Sequence, residues 1–129
     1  EMAIKWAKTR SQFGKPIIHK QSVQWMIADM AAEIEALRSF VYRVAWMVDT
    51  GQPYTKYAAM AKFYASEVAS RCVNRALQIY GAMGYSRDFT LERAFRDARI
   101  AEIFEGTNEI QRIVTVAQIF RPLGVRISP

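Results

Sequence analysis

The sequence predicts an all-α fold: an up-and-down four-helix bundle with an additional C-terminal helix. Three observations carry that expectation. From Gln21 to Asp49, Val23, Ile27, Met30, Ile34, Leu37, Val41, Val44 and Val48 alternate steps of four and three, which is one apolar stripe along a long helix. A second long segment, Pro53 to about Tyr80, places Ala61, Ala65, Val68, Cys72, Ala76 and Ile79 at helical spacing. No segment alternates cleanly enough to read as a strand. With 129 residues, the chain suits one domain and can bury a core without disulfides or metals.

The elements follow in order. Residues 1 to about 11 read as a helix that stops at Gly14-Lys15-Pro16, since glycine past a helix and proline soon after are stop signals. Glu1 reads as the inside of that helix, with no cap before it, as expected of a piece of something longer. Gly51 closes the second helix, and Pro53 is placed to open the third as a first-turn proline. The small residues of the third helix allow a partner to approach closely. Gly81-Ala82-Met83-Gly84 ends it. A fourth helix fits Thr90 to Ile103, capped by Asp88 or Thr90. Glu105-Gly106-Thr107 breaks the chain, and Thr107 or Asn108 can cap a fifth helix through Phe120. Trp6, Trp25 and Trp46 read as packing residues.

Composition narrows the possible functions. One cysteine, Cys72, excludes a disulfide framework within the chain and favours a reducing compartment. With His19 the only histidine, no metal site is expected. The net charge of +6 is dispersed rather than gathered into a basic run, so nucleic acid is not the expected partner. No apolar stretch is long enough to span a membrane, and no signal-peptide layout opens the chain. Arg93, Arg96, Asp97 and Arg99 fit either a solvated face or a salt-bridge network.

The breaks between helices carry the most distinctive strings. Arg10-Ser11-Gln12-Phe13-Gly14-Lys15-Pro16-Ile17, followed by Gln21, resembles the "RxxFGxPI…Q" stretch of acyl-CoA dehydrogenases. Ala28-Asp29-Met30, Ile34-Glu35-Ala36 and Ala58-Ala59-Met60-Ala61-Lys62 continue the resemblance. Gln78-Ile79-Tyr80-Gly81-Ala82-Met83-Gly84-Tyr85 is similar to "QxxGGxGY", and Glu92-Arg93 with Arg96-Asp97-Ala98-Arg99-Ile100 to "ERxxRDxRI". Ile103-Phe104-Glu105-Gly106-Thr107-Asn108-Glu109-Ile110-Gln111-Arg112 resembles "IYEGTxEIQ". These strings stand in the family's order and cover nearly the whole chain. They resemble the C-terminal helical domain, with the family's N-terminal helical and middle β domains absent.

The resemblance implies FAD as cofactor, an acyl-CoA thioester as substrate and trans-2-enoyl-CoA as product. It implies an electron-transferring flavoprotein as electron acceptor and a homodimer or homotetramer built through this domain. It places the protein in the cytoplasm of a prokaryote or the mitochondrial matrix of a eukaryote. Glu105 is the implied base for the α proton: a carboxylate in a helix break followed by glycine can reach a cleft at close range. Shielded from water by substrate and flavin, it would become a stronger base. Its backbone N–H would bind the thioester carbonyl, and Gly106 would line the substrate. Glu105 points to the short-, medium- or short-branched-chain type, because other members carry the base on a different helix. Arg10, with Ser11 and Gln12, is the implied pyrophosphate contact, its fork matching two oxygens. Gln21 and Gln78, Ile79, Tyr80, Gly81 and Ala82 would approach the adenosine half from a neighbouring subunit. Thr107 and Glu109 match flavin contacts at the start of the last helix, where free N–H groups suit anions. Phe104 stands for the usual tyrosine, and Ala82 for the second glycine. Two alternatives remain: a non-catalytic helical oligomerisation module, and an acyl-CoA oxidase-like relative.

Overall fold

The computed structural model describes residues 1–127. Its elements are α1 (Met2–Thr9), the strands β1 (Ser11–Gln12) and β2 (Lys15–Pro16), a 3-10 turn (Ile17–His19), α2 (Gln21–Asp49) and α3 (Thr55–Tyr80). A short α4 (Ala82–Tyr85), α5 (Thr90–Ile100), α6 (Asn108–Phe120) and a last 3-10 turn (Arg121–Leu123) follow. The all-α expectation holds.

The axis of the domain is α3. Helices α1, α2, α5 and α6 all pack against it, and most of its residues are at least partly shielded all the way round. Its small residues permit this, because a narrow helix accepts neighbours on several faces at short interaxial distance. Val68 is the most completely buried large side chain, at 1 % exposure. At the far end of α3, Ile79 joins Ala3, Ala7, Ile17 and Val23 in a core extended by Trp6, Met26 and Met30. Trp6 stacks on Tyr80 at 4.5 Å, and Phe89 meets both rings edge-on at 5.6 and 5.7 Å. Such pairs add about 0.5–1.5 kcal/mol beyond area burial. Polar pairing helps to register α2 on α3. Arg71 Nε donates to Glu33 at 3.1 Å, and Arg75 Nη1 lies 3.2 Å from the same carboxylate, near enough for an ion pair but poorly aligned for a hydrogen bond.

The structure corrects several expectations. Helix α1 stops at Thr9, not near residue 11, because β1 and β2 pair antiparallel, Ser11 opposite Pro16 and Gln12 opposite Lys15. Phe13 and Gly14, at φ 55° and 79°, make the two-residue turn that matches strand twist. Pro53 lies before α3 rather than in its first turn. Helix α5 ends at Ile100, and neither Asp88 nor Thr90 caps it; Phe89 occupies that place, while Asp88 accepts from the Ser86 hydroxyl at 2.9 Å. The stripe of α2 is partly out of phase. Ile34, Val41 and Val48 are exposed, whereas Met26, Glu33, Phe40 and Met47 face inward with Val23, Leu37 and Val44. Trp25 and Trp46 are more than half exposed, whereas Trp6 stacks in the core at the end of α3. Arg93–Asp97 and Arg96–Glu92 are exposed pairs along α5 itself, the solvated-face arrangement, and contribute little to stability.

Candidate functional site

Two separate places on α3 gather the residues singled out by sequence. The first is a cleft of about 570 Å³ where the β1–β2 hairpin meets the C-terminus of α3. Arg10, Gln12, Gln78, Ile79, Tyr80, Gly81 and Ala82 all line it. The fold thus brings together two strings that lie far apart in the chain. Arg10 is held there by its backbone: its N–H donates to Trp6 O, and its carbonyl accepts from Ile17 N, both at 2.8 Å. Gly81 ends α3 at φ 63°, turning the chain sharply into α4. Ser11 and Gln21 lie beside the cleft rather than in its lining. Ser11 alternates with Gln12 and so projects from the other side of its strand. Gln21 is exposed at the start of α2, between Lys20 and Ser22, which do line the cleft. Lys20, Ser22, Trp6 and Met83 are lining residues that the sequence did not single out as site residues; a cation four residues after the hairpin's end at Pro16 was the available signal.

The cleft suits an anionic, hydrogen-bonding ligand. Arg10 and Lys20 supply positive charge, and Gln12, Ser22 and Gln78 supply neutral donors and acceptors. Trp6 also lines it, and among the described residues its buried Nε1 has no hydrogen-bond partner.

The second place is the loop between α5 and α6. Its ends are closed by Asn108 N–H donating to Glu102 O at 3.0 Å. At its tip, Glu105 adopts φ 51° and Gly106 φ 87°. A non-glycine residue in the left-handed region costs of order 1–3 kcal/mol and persists only where its surroundings enforce it. At Gly106, φ 87° favours glycine, and the Gln111 side-chain amide occupies the space that a Cβ would take, 2.5 Å from that point. Both Glu105 and Gly106 are exposed. Among the described residues, nothing accepts a hydrogen bond from the Glu105 backbone N–H. Thr107 is the cap of α6, its Oγ1 accepting from Ile110 N at 3.3 Å; Asn108 has a different task. The Glu109 carboxyl is held below the usual glutamate range by its own backbone N–H and then by the Thr107 hydroxyl, both donating to the charged form.

Asn108 is almost fully buried, and sequence marked it only as a possible cap. Its Oδ1 accepts from Lys62 Nζ and from Ser66 Oγ, both at 3.0 Å. Glu102, at the loop's other end, accepts from Ser70 Oγ at 2.5 Å and pairs with Arg99. The loop is thus anchored near Ser66, whereas the cleft begins at Gln78. At 1.5 Å per helical residue these points are about 18 Å apart along α3.

Comparison with known proteins assigns this arrangement. Residues 1–120 match the family model described as acyl-CoA dehydrogenase, C-terminal domain. The chain belongs to this family. It is 46 % identical over 121 residues to a probable acyl-CoA dehydrogenase, YngJ, of Bacillus subtilis, covering 94 % of this chain and 32 % of that protein. An acryloyl-CoA reductase (NADH) of Anaerotignum propionicum is also 46 % identical over 121 residues, with 94 % of this chain and 31 % of the relative covered. The solved structure of butyryl-CoA dehydrogenase from Megasphaera elsdenii superposes with a TM-score of 0.90 at 45 % identity, covering 93 % of this chain and 31 % of the other. The chain therefore spans about a third of the length of the relatives it matches. No helix among the described residues is long and apolar enough to cross a membrane, and no cluster of metal-binding side chains occurs among them.

Proposed function

We propose that this domain belongs to an FAD-dependent acyl-CoA dehydrogenase that converts an acyl-CoA thioester to the trans-2-enoyl-CoA, with Glu105 removing the α proton. The observation that carries the reading is the Glu105 loop: an exposed carboxylate on left-handed backbone, followed by glycine. A base must be held within hydrogen-bond reach of the proton it takes, and stored backbone strain is one way of fixing it. The unclaimed N–H of Glu105 is suited to the thioester carbonyl oxygen, which gains negative charge as the α proton leaves. Gly106 would line the substrate beside it.

The cleft is the proposed seat for the pyrophosphate and adenosine part of FAD. Arg10 would pair two phosphate oxygens, and Gln12 and Gln78 would hydrogen-bond beside it. Ser11 and Gln21 would act from the rim, and the turn at Gly81-Ala82 would allow close backbone approach. Thr107 and Glu109 would border the flavin at the other place. When bound, FAD supplies the acceptor for the β hydrogen. By similarity to the family, the proposed assembly is one in which the cleft of one copy completes the active site that holds another copy's Glu105. A homodimer or homotetramer is the proposed state, and an electron-transferring flavoprotein the proposed acceptor.

The test is Glu105→Gln in the protein as its own gene encodes it, assayed on acyl-CoAs of increasing chain length. Retained yellow flavin with turnover reduced roughly 10²–10⁴-fold is expected for loss of a proton-transfer group. Near-normal turnover would sink the assignment. The similarity to an acryloyl-CoA reductase supports a second reading, in which the same carboxyl delivers the α proton toward the saturated thioester. Oxidation of the enzyme flavin by acryloyl-CoA faster than its reduction by propionyl-CoA would favour that direction.

A further inference from the structure

One side of α3 beneath the Glu105 loop is polar where a helix at the centre of a domain would be expected to be apolar. Lys62, Ser66 and Ser70 stand four residues apart and so share one face of α3. Each of them is used. Lys62 and Ser66 both donate to Asn108 Oδ1, immediately after the loop, and Ser70 donates to Glu102, immediately before it. Asn108 Nδ2 adds a longer bond to Phe63 O at 3.5 Å. The loop from 103 to 107 is therefore gripped at both ends by a single ridge, with Asn108 N to Glu102 O closing its neck.

Helix stability does not account for this. A lysine ammonium at the start of α6 opposes the positive end of the helix dipole, and Thr107 already supplies the cap. A buried asparagine bridging two helices is also a costly device if any partner is lost. What the ridge does achieve is to fix the two residues on which the left-handed backbone at Glu105 and Gly106 is suspended. We propose that Asn108, held by Lys62 and Ser66, is a positioning residue that sets where the Glu105 carboxylate points. The proposal rests on Glu105 being the base, and it concerns geometry: none of the three touches the reacting atoms.

The experiment compares Asn108→Leu, Asn108→Asp and Lys62→Met with Glu105→Gln in the protein as its own gene encodes it. Leucine keeps the branched shape of Asn108, with somewhat more bulk, but accepts nothing, whereas aspartate still accepts from Lys62 and Ser66. The readouts are kcat per bound flavin, KM, flavin content and the primary deuterium isotope effect with acyl-CoA deuterated at Cα. A displacement of about an ångström at a base can cost on the order of 10²-fold. Asn108→Leu and Lys62→Met are expected to lose about 10–100-fold in kcat per flavin, with little change in KM. The isotope effect should rise as proton removal becomes slower than other steps, and Asn108→Asp should recover most of the rate. A merely structural role would lower the yield of folded flavoprotein and leave kcat per flavin and the isotope effect unmoved. If Asn108→Leu does not fold, Lys62→Met decides, since methionine keeps the stem and removes only the donor. Rates within twofold of wild type in both variants, with Glu105→Gln inactive, would overturn the positioning role alone. An active Glu105→Gln would overturn the base assignment and this proposal with it.

Discussion

Gly84→Ala is expected to destabilise the domain although helix propensity favours the change. Gly84 is a buried helical residue of α4, where the chain doubles back on the last turns of α3. Alanine is better than glycine in a helix by about 1 kcal/mol, so propensity alone predicts a gain. The structure opposes it. An added Cβ would lie 2.9 Å from Tyr80 Cβ, 3.0 Å from Leu77 O and 3.3 Å from Leu77 Cα. Non-bonded carbons prefer about 3.5–4.0 Å, so α4 must withdraw by roughly half an ångström or more. The obstacle at Leu77 is backbone, which cannot rotate away. Overpacking of this kind costs typically about 1–3 kcal/mol, which outweighs the propensity gain in most of that range. A net loss of about 1 kcal/mol is expected. With a urea m-value of about 1–3 kcal/mol per molar, the midpoint should fall by roughly 0.3–1 M. Urea unfolding of the 129-residue chain, with hydrogen exchange at residues 77–85, is the assay. A midpoint equal to or above wild type would mean that α4 is not seated on α3 as described. Because Gly81, Ala82 and Met83 line the cleft, the same variant should weaken FAD binding in the whole protein.

Three other outcomes can be checked. Val68→Ala removes two buried carbons from the centre of α3 and should cost about 1–3 kcal/mol by urea titration; a change below 0.5 kcal/mol would contradict the packing there. Cys72 is held above the usual thiol range by burial first, and then by the Glu33 carboxylate 3.9 Å away, against the opposing charges of Arg75 and Arg71. Alkylation by iodoacetamide should therefore be slow at pH 8 and still accelerating above pH 9, and a fast reaction at neutral pH would refute this. Glu109 has a depressed folded value, so its stabilising effect is present above the unfolded glutamate value and is lost as pH falls through the folded one. Its carboxyl carbon should titrate by NMR below the ordinary glutamate value, and a midpoint at or above that value would refute stabilisation of the carboxylate by its backbone N–H and Thr107.

How much of this was legible in the sequence depends on the range of the interaction. Helices α2 and α3 were readable because long periodic segments repeat the same signal many times. The phase of the α2 stripe was not. It runs through Glu33, a charge that faces inward only because Arg71 and Arg75 on another helix meet it there. The β1–β2 hairpin has two residues per strand, too few for alternation, and its turn is Phe-Gly rather than the Asn-Gly that announces such a turn. Glu105, Gly106 and Thr107 stood out because their strings break helices. Asn108 did not, because an asparagine that caps a helix and one that bridges to Lys62 and Ser66 look alike in one dimension. Lys20 and Trp6 joined the cleft only once the hairpin had folded over the end of α3.

The same helix that organises the core also fixes the spacing of the two functional places. The ridge Lys62–Ser66–Ser70 holds the Glu105 loop, and the segment from Gln78 to Gly81 forms one wall of the cleft. The tightest packing of α3, at Val68, lies within the span of that ridge, and its ion pairs to α2 at Arg71 and Arg75 stand between ridge and cleft. A helix braced in this way cannot shorten, so the loop's anchor at Ser66 and the cleft residue Gln78 stay about 18 Å apart along the axis of α3. If each active site takes its loop from one copy and its cleft from another, the register between copies must be as exact as the register along α3. The exposed apolar residues of α2, among them Trp25, Ile34, Tyr42 and Trp46, give such an association a surface to bury. Assembly and catalysis would then be coupled through α3: disturbing its middle would misplace a base in one active site and a cofactor wall in another.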